Sequence, residues 1–283
     1  MAAVLALVAA LAYGAADFYG GLATRRLPAA TVVLRSNTLA FPCLLTANLM
    51  VSGTWTGHDA AVGTLAGVAA TAGLLLLFRA LAEGTMSIVA PITAVLAAVV
   101  PMTVGVATGE RPAPLAVTGL PVALVAVVLL AAPPTAGGGR AHVPASNLLA
   151  ALCAGLAFGL FFVALDATSD DAGLWPVVVS QAASIVLLTT VKLFGGSGGG
   201  AARNAASQQW AAVVASGLFS AVGHVSFLLA TQRGLLTLVA VIASLYPAST
   251  LLLARLVLGE RITGLQRFGA VLAGVAVVLV SLP

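Results

Sequence analysis

Apolar residues run in stretches of about twenty along nearly the whole chain, separated by short segments that hold most of the charge, glycine and proline. Ten stretches stand out, at residues 3–22, 31–51, 60–80, 86–107, 113–132, 147–166, 175–193, 209–231, 235–257 and 264–282. About 20 apolar residues of helix span a hydrocarbon core. Backbone exposed to lipid must satisfy its own hydrogen bonds, so runs of this kind form helices. The pattern predicts an all-α integral membrane protein with ten transmembrane helices. A Pro/Gly segment, PPTAGGGRAHVP, separates the fifth stretch from the sixth. It divides the chain into residues 1–132, a linker at 133–146, and residues 147–283.

The two parts repeat one another. Gly109-Glu110-Arg111 recurs as Gly259-Glu260-Arg261, 150 residues later (259 − 109). At the same offset Gly84 falls on Gly234, Val89-Ala90 on Val239-Ala240, Ile92 on Ile242, and Gly119 on Gly269. Nearer the start of each half, Leu11-Ala12-Tyr13-Gly14 is similar to Leu156-Ala157-Phe158-Gly159 at an offset of 145 (156 − 11). Five spans per half is an odd number, so the sixth enters the membrane from the face opposite to the first. The expected fold is therefore two inverted five-helix repeats. Related halves in a membrane protein commonly enclose a solute site at their junction.

Composition supports the membrane reading: 61% of residues are hydrophobic and only 7% are charged, against about 25% charged in soluble domains. The first 24 residues contain no Lys or Arg, so the N-terminal stretch reads as a retained helix and not as a secretory signal. The formal charge of +4 is spread between spans without a cluster, which argues against nucleic acid and for loop charges that set orientation. Arg25, Arg26, Arg79, Arg140, Lys192, Arg203, Arg255, Arg261 and Arg267 fall in or beside odd-numbered loops, and Arg111 and Arg233 in even ones. Taken alone, that bias places both termini outside and inverts between the halves, as inverted copies require. Cys43 and Cys153 lie in apolar spans without metal or redox spacing. The second glycine-rich segment, GGSGGG at 195–200, lacks the Lys-Ser/Thr ending of a phosphate loop and reads as a spacer.

Charge inside a span is costly and marks a candidate site. Asp17 shares one helical face with Tyr13 and Gly21. Arg35, in the second span, lies at a depth that would let it pair with Asp17. Two readings stay open: a structural ion pair, or a carboxylate that exchanges a proton for substrate. His224 lies on a polar stripe with Ser216, Ser220 and Thr231, the kind of stripe that faces a bundle interior or cavity. Ser244, Tyr246 and Pro247 sit mid-span in the ninth stretch. Pro91 lies in the fourth stretch, and such prolines break helices near transport sites. Pro247 falls opposite Ala97 and Pro91 opposite Val241, so the two breaks do not coincide. Gln181, with Ser180 and Ser184, and Ser36 with Asn37, are further polar candidates for a cavity. Glu110 and Glu260 read as helix-end or loop anchors beside arginines. No metal or cofactor site is expected: no HExxH and no Cys/His cluster occurs, and Asp170-Asp171 lacks further acidic partners.

Ten spans in two halves, the Gly-Glu before the last span of each, and the opening AYGAADFYGGLATRR together resemble the drug/metabolite transporter superfamily, in its EamA-type ten-helix branch. The resemblance covers essentially the whole chain. It implies a solute exporter with a central cavity between the halves, working by alternating access and driven by an ion gradient or by exchange. The implied partners are a lipid bilayer, a small-molecule substrate and protons, with a second copy of the chain as a candidate. The implied location is the cytoplasmic membrane of a prokaryote. Relatives are drawn with both termini cytoplasmic, opposite to the charge count here. Small four-helix relatives couple protons through a glutamate in their first helix, where this chain offers only Asp17. Within transport, the alternative is an exchanger of phosphorylated sugars or nucleotide-sugar-like solutes. Outside it, the alternatives are a membrane-embedded enzyme or a scaffolding subunit.

Overall fold

A computed structural model describes residues 1–51, 53–82, 86–132, 145–194, 202–259 and 261–282, with backbone alone for residues 80–82, 86–91, 145 and 202–208. The described chain is helical throughout: α1 (Ala2–Thr24), α2 (Ala29–Leu49), α3 (Gly57–Ala82), α4 (Met86–Ala107), α5 (Pro114–Leu130), α6 (Ala145–Asp166), α7 (Trp175–Phe194), α8 (Ala202–Thr231), α9 (Leu236–Ala243), α10 (Pro247–Leu258) and α11 (Gly264–Ser281). One turn of 3-10 helix, Asp170–Ala172, lies between α6 and α7. Among the described residues, eight helical segments are long and apolar enough to cross a membrane, with α9 and α10 together counted as one; Ile92–Ala107 and Pro114–Leu130 are shorter apolar helices.

The ninth stretch, expected as one helix, is two. Pro247 carries no N–H, so the carbonyl of Ala243 loses its usual partner four residues on. Tyr246 N–H donates to it instead at 3.2 Å, and Leu245 N–H donates to Ile242 O at 3.1 Å, tightening the chain into a turn across Ser244-Leu245-Tyr246. Pro247 then starts α10, where its missing donor costs nothing. The glycines of both GER triplets close a helix: Gly109 follows α4 at φ 103° and Gly259 follows α10 at φ 69°. Only glycine takes such angles without strain. A capping box opens α11, with Gln266 N–H donating to Thr263 Oγ1 at 3.2 Å and Thr263 N–H donating to Gln266 Oε1 at 2.9 Å.

Small residues set the packing. The principal pairings are α1 with α8, α9 and α10; α6 with α3 and α4; α2 with α7 and α8; α3 with α7; α4 with α9; and α5 with α11. At several of these crossings a glycine lets two backbones approach. A Cβ at Gly67 would strike the Ser180 carbonyl, one at Gly217 the Ser36 carbonyl, and one at Gly119 or Gly269 the facing helix of the α5–α11 pair. Lipid tails are as apolar as leucine, so helix association rests on such close packing and on interhelical hydrogen bonds.

Gly14 makes one of the tightest of these approaches, since a Cβ there would overlap the Tyr246 carbonyl oxygen and Ser249 Cβ, whereas Gly21 on the same helix faces open space. Gly14→Ala is expected to cost about 1–3 kcal/mol as an overpacking change. Gly21→Ala is expected to be neutral or stabilising by up to about 1 kcal/mol. Thermal unfolding of the two variants in detergent checks the contrast.

Candidate functional site

Within the bundle the helices part around a cavity of about 70 Å³. Its wall draws on both halves: Tyr13, Ala16 and Asp17 of α1; Val33, Ser36 and Asn37 of α2; Ala70, Leu74 and Phe78 of α3; Ala97 of α4; Phe158, Phe161 and Phe162 of α6; Ser216, Ser220 and His224 of α8; and Tyr246 at the α9–α10 break. The cavity lies toward the end of the bundle that carries the α1–α2 turn, because its α2 residues sit near the start of that helix and Phe78 near the end of α3. Among the described residues Asp17 is the one charged side chain in this wall, and it is partly exposed there.

Aromatic rings form the floor. Tyr13 packs against Phe162 (centroids 5.8 Å apart) and edge-on against His224 (5.6 Å); Phe161 lies 5.0 Å from His224, and Phe162 stacks on Phe227 at 4.3 Å. Glycines seat two of the rings: a Cβ at Gly223 would meet Tyr13 at 2.7 Å, and one at Gly73 would meet Phe158 at 2.7 Å. Tyr13 OH and His224 Nδ1 are buried without a hydrogen-bond partner.

Of the residues singled out from sequence, Tyr13, Asp17, Ser36, Asn37, Ser216, Ser220, His224 and Tyr246 meet in the cavity. The others go elsewhere. Gln181 stands behind the wall, where its Nε2 donates to the Asn37 carbonyl at 3.2 Å. Asn37 Nδ2 donates to Ser184 Oγ at 2.6 Å, and the hydroxyls of Ser184 and Thr71 bond each other at 2.6 Å. This chain ties α2, α3 and α7 together, and its members have spent their polar groups on one another. Ser244 is fully buried and donates to the Val241 carbonyl at 2.7 Å. Pro247 shapes the break without lining the cavity. Arg35 is half-buried on α2 and is not in the wall. Among the described residues no ion pair joins it to Asp17, so the expected pairing is not seen: similar depth did not bring the two side chains to one face. The side chain of Pro91 and the whole of Glu260 lie outside the described residues. Sequence reading missed Phe78, Phe161 and Phe162, whose apolar rings read like any lipid-facing or core residue. No group of three or more His, Cys, Asp or Glu side chains able to hold a metal occurs among the described residues.

The opposite end of the bundle is tied shut by two carboxylates. Glu110, after α4, accepts from Leu236 N–H at 2.6 Å and Thr237 N–H at 2.9 Å, capping the first turn of α9. The anchor expected for Glu110 is thus real, but its partner is a helix N-terminus of the other half and not an arginine. There a negative charge meets unpaired N–H donors and the positive end of the helix dipole. Asp59, 1% exposed, accepts from Thr56 N–H at 2.8 Å and from Ser169 N–H at 2.8 Å. Beside it Thr54 N–H donates to the Asp171 carbonyl at 2.9 Å, and Trp55 lies 5.7 Å from Trp175. The α2–α3 connection is therefore fastened to the α6–α7 connection, and the α4–α5 connection to α9.

Residues 145–282 match the model of the EamA-like transporter family. The apolar helices make the chain an integral membrane protein. A solved crystal structure of a protein 18% identical in sequence superposes with a TM-score of 0.75 over 99% of this chain and 96% of its own, so the fold is shared across the full length. Comparison with curated protein sequences gives no match.

Replacing Glu110 by alanine removes two charge-assisted hydrogen bonds, each typically worth about 1.5–3 kcal/mol. In Glu110→Ala the amides at the start of α9 are expected to exchange with deuterium at least about ten-fold faster, since 1.4 kcal/mol is a factor of ten. Hydrogen exchange by mass spectrometry over residues 234–240 reads this directly.

Proposed function

We propose that this chain is a secondary active transporter, an exporter of small metabolites or amphipathic compounds working by alternating access with proton coupling at Asp17. The observation that carries the reading is the central cavity, built from both halves and holding one carboxylate among aromatic and hydroxyl groups. A carboxylate in an apolar wall is costly unless protonated or paired, and among the described residues no Arg or Lys lines this cavity. Proton and substrate can then compete for one group. Export, and residence in the cytoplasmic membrane of a prokaryote, rest on likeness to the family.

Two inverted five-helix repeats, residues 1–132 and 147–283 about the 133–146 linker, are part of the same proposal. Their support is that close contacts recur when the halves are exchanged. Gly67 on Ser180 becomes Gly217 on Ser36, at offsets of 150 and 144. Tyr13 on Gly223 becomes Phe158 on Gly73, at offsets of 145 and 150. The pairings α1–α8 and α3–α6 exchange likewise, while α5–α11 and α2–α7 map onto themselves. An exchanger of phosphorylated sugars is less well supported, because among the described residues the wall contains no Arg or Lys to receive phosphate.

Reconstitution into liposomes loaded with a pooled metabolite mixture tests the function, with a pH gradient imposed in each direction. Solutes lost only when protein is present, and faster under one polarity, are the expected result; loss of no solute under any gradient or counter-solute overturns it. Asp17→Asn is expected to fold yet lose pH-driven transport, and full pH-driven activity in that variant would remove Asp17 from the coupling. His224→Ala should change the apparent substrate affinity several-fold, and unchanged kinetics would take His224 out of the pathway.

A further inference from the structure

Resting on the transport reading above, we infer that the substrate is a monovalent organic cation carrying an aromatic or similarly apolar body, exchanged electroneutrally for one proton at Asp17. Three features of the cavity point there. Among the described residues its only charged side chain is a carboxylate. Six aromatic rings share the wall with it: Tyr13, Phe78, Phe158, Phe161, Phe162 and Tyr246. Ring faces attract cations, and most strongly where water is excluded. The third feature is what the wall lacks. An anion would meet Asp17 with no Arg or Lys to offset the repulsion. A zwitterion would bring a carboxylate for which His224, held between the rings of Tyr13 and Phe161, is the one group among the described lining residues able to take up an opposite charge, and a buried charge needs an opposite partner.

The stoichiometry follows from the same count. The titratable groups facing Asp17 are Tyr13 on its own helix, His224 from α8 and Tyr246 from the α9–α10 break; α2, α3, α4 and α6 contribute none to the wall. Tyrosines stay neutral at physiological pH. One carboxylate therefore carries either one proton or one positive charge of substrate. The loaded and protonated sites have the same net charge, and exchange moves no net charge across the membrane. A pH gradient drives such a cycle and a membrane potential does not. Were His224 to bind a second proton in each cycle, exchange would move net charge and respond to potential.

Three probes with one ring and different charge test the proposal in liposomes: benzyltrimethylammonium, phenylalanine and phenylacetate. The first bears its charge at every pH. An outwardly or inwardly directed proton gradient is expected to drive benzyltrimethylammonium at least ten-fold faster than the other two, with one proton moved per cation. The rate should not change when a potassium diffusion potential is set with valinomycin. Asp17→Asn should abolish the exchange and Asp17→Glu retain it, with thermal unfolding checking that both fold. Phenylalanine or phenylacetate moving as fast as the cation would overturn the substrate class while leaving a transporter. So would movement of pooled solutes with none of the three probes. A rate that follows the potential, or two protons per cation, would overturn electroneutral exchange. Movement of no solute at all would overturn the transport reading beneath it.

Discussion

Inside a hydrocarbon layer every backbone N–H and C=O must find its partner within the protein, and the break at residues 244–246 is where that constraint bears hardest. An interrupted helix leaves donors and acceptors without their usual partners. Here each end is answered. Glu110 takes the first two amides of α9, and Tyr246 N–H takes the Ala243 carbonyl. The start of α10 is used differently: Ser249 Oγ donates to the Leu11 carbonyl at 2.8 Å and Thr250 Oγ1 to the Gly14 carbonyl at 3.0 Å. These bonds draw α1 against the break, which Gly14 alone permits for want of a Cβ. The cavity follows from this. With α1 held there, Tyr13 and Asp17 come to face Tyr246 across the same space that receives His224 from α8.

The second consequence is that polar residues in the spans divide into two kinds. Asn37 in the wall and Thr71, Gln181 and Ser184 behind it form a hydrogen-bonded chain. Interhelical hydrogen bonds of this type contribute about 0.6 kcal/mol each in membrane proteins, modest terms that fix how α2, α3 and α7 sit. Asp17, Ser220 and His224 are turned to the cavity, with a buried His224 nitrogen left unpartnered. A satisfied polar group holds the frame; an unsatisfied one is available to something that enters it.

That division explains what the sequence made legible. Helix number and approximate bounds followed from apolar length alone, which is a one-dimensional property. Asp17, His224 and Ser220 were identifiable because a polar side chain in lipid must turn inward. Which inward position it takes was not, because Gln181 and Asp17 carry the same one-dimensional signature and differ only in their neighbours. Arg35 illustrates the limit: depth can be counted in residues, but the face it shares with Asp17 depends on helix rotation. The aromatic floor was hidden for the opposite reason, since Phe161 and Phe162 read equally well as lipid-facing. The GER triplet was the plainest signal, and half of its role was readable. Its glycines end helices, as positive φ at Gly109 and Gly259 records. The use of Glu110 depends on a partner 126 residues away (236 − 110).

The proposed alternating access would set an energetic condition on these ties. The end of the bundle held by Glu110 and Asp59 would have to open when the cavity turns to that face. Opening would expose two helix-start amides and a carboxylate that now satisfy one another, at a cost of several kcal/mol for charge-assisted bonds. A transporter cycling at useful rates cannot have one conformer deeper by that much, because 5.5 kcal/mol already separates populations of 1:99 from 99:1. Ties of comparable strength must therefore form at the other end as these break. Exchange of contacts between two related halves provides that balance without tuning: what one half surrenders at one face, its counterpart can gain at the other. On this argument the near-equality of the halves is itself functional, since it holds the two conformers within reach of the small free energy that a proton and a substrate supply.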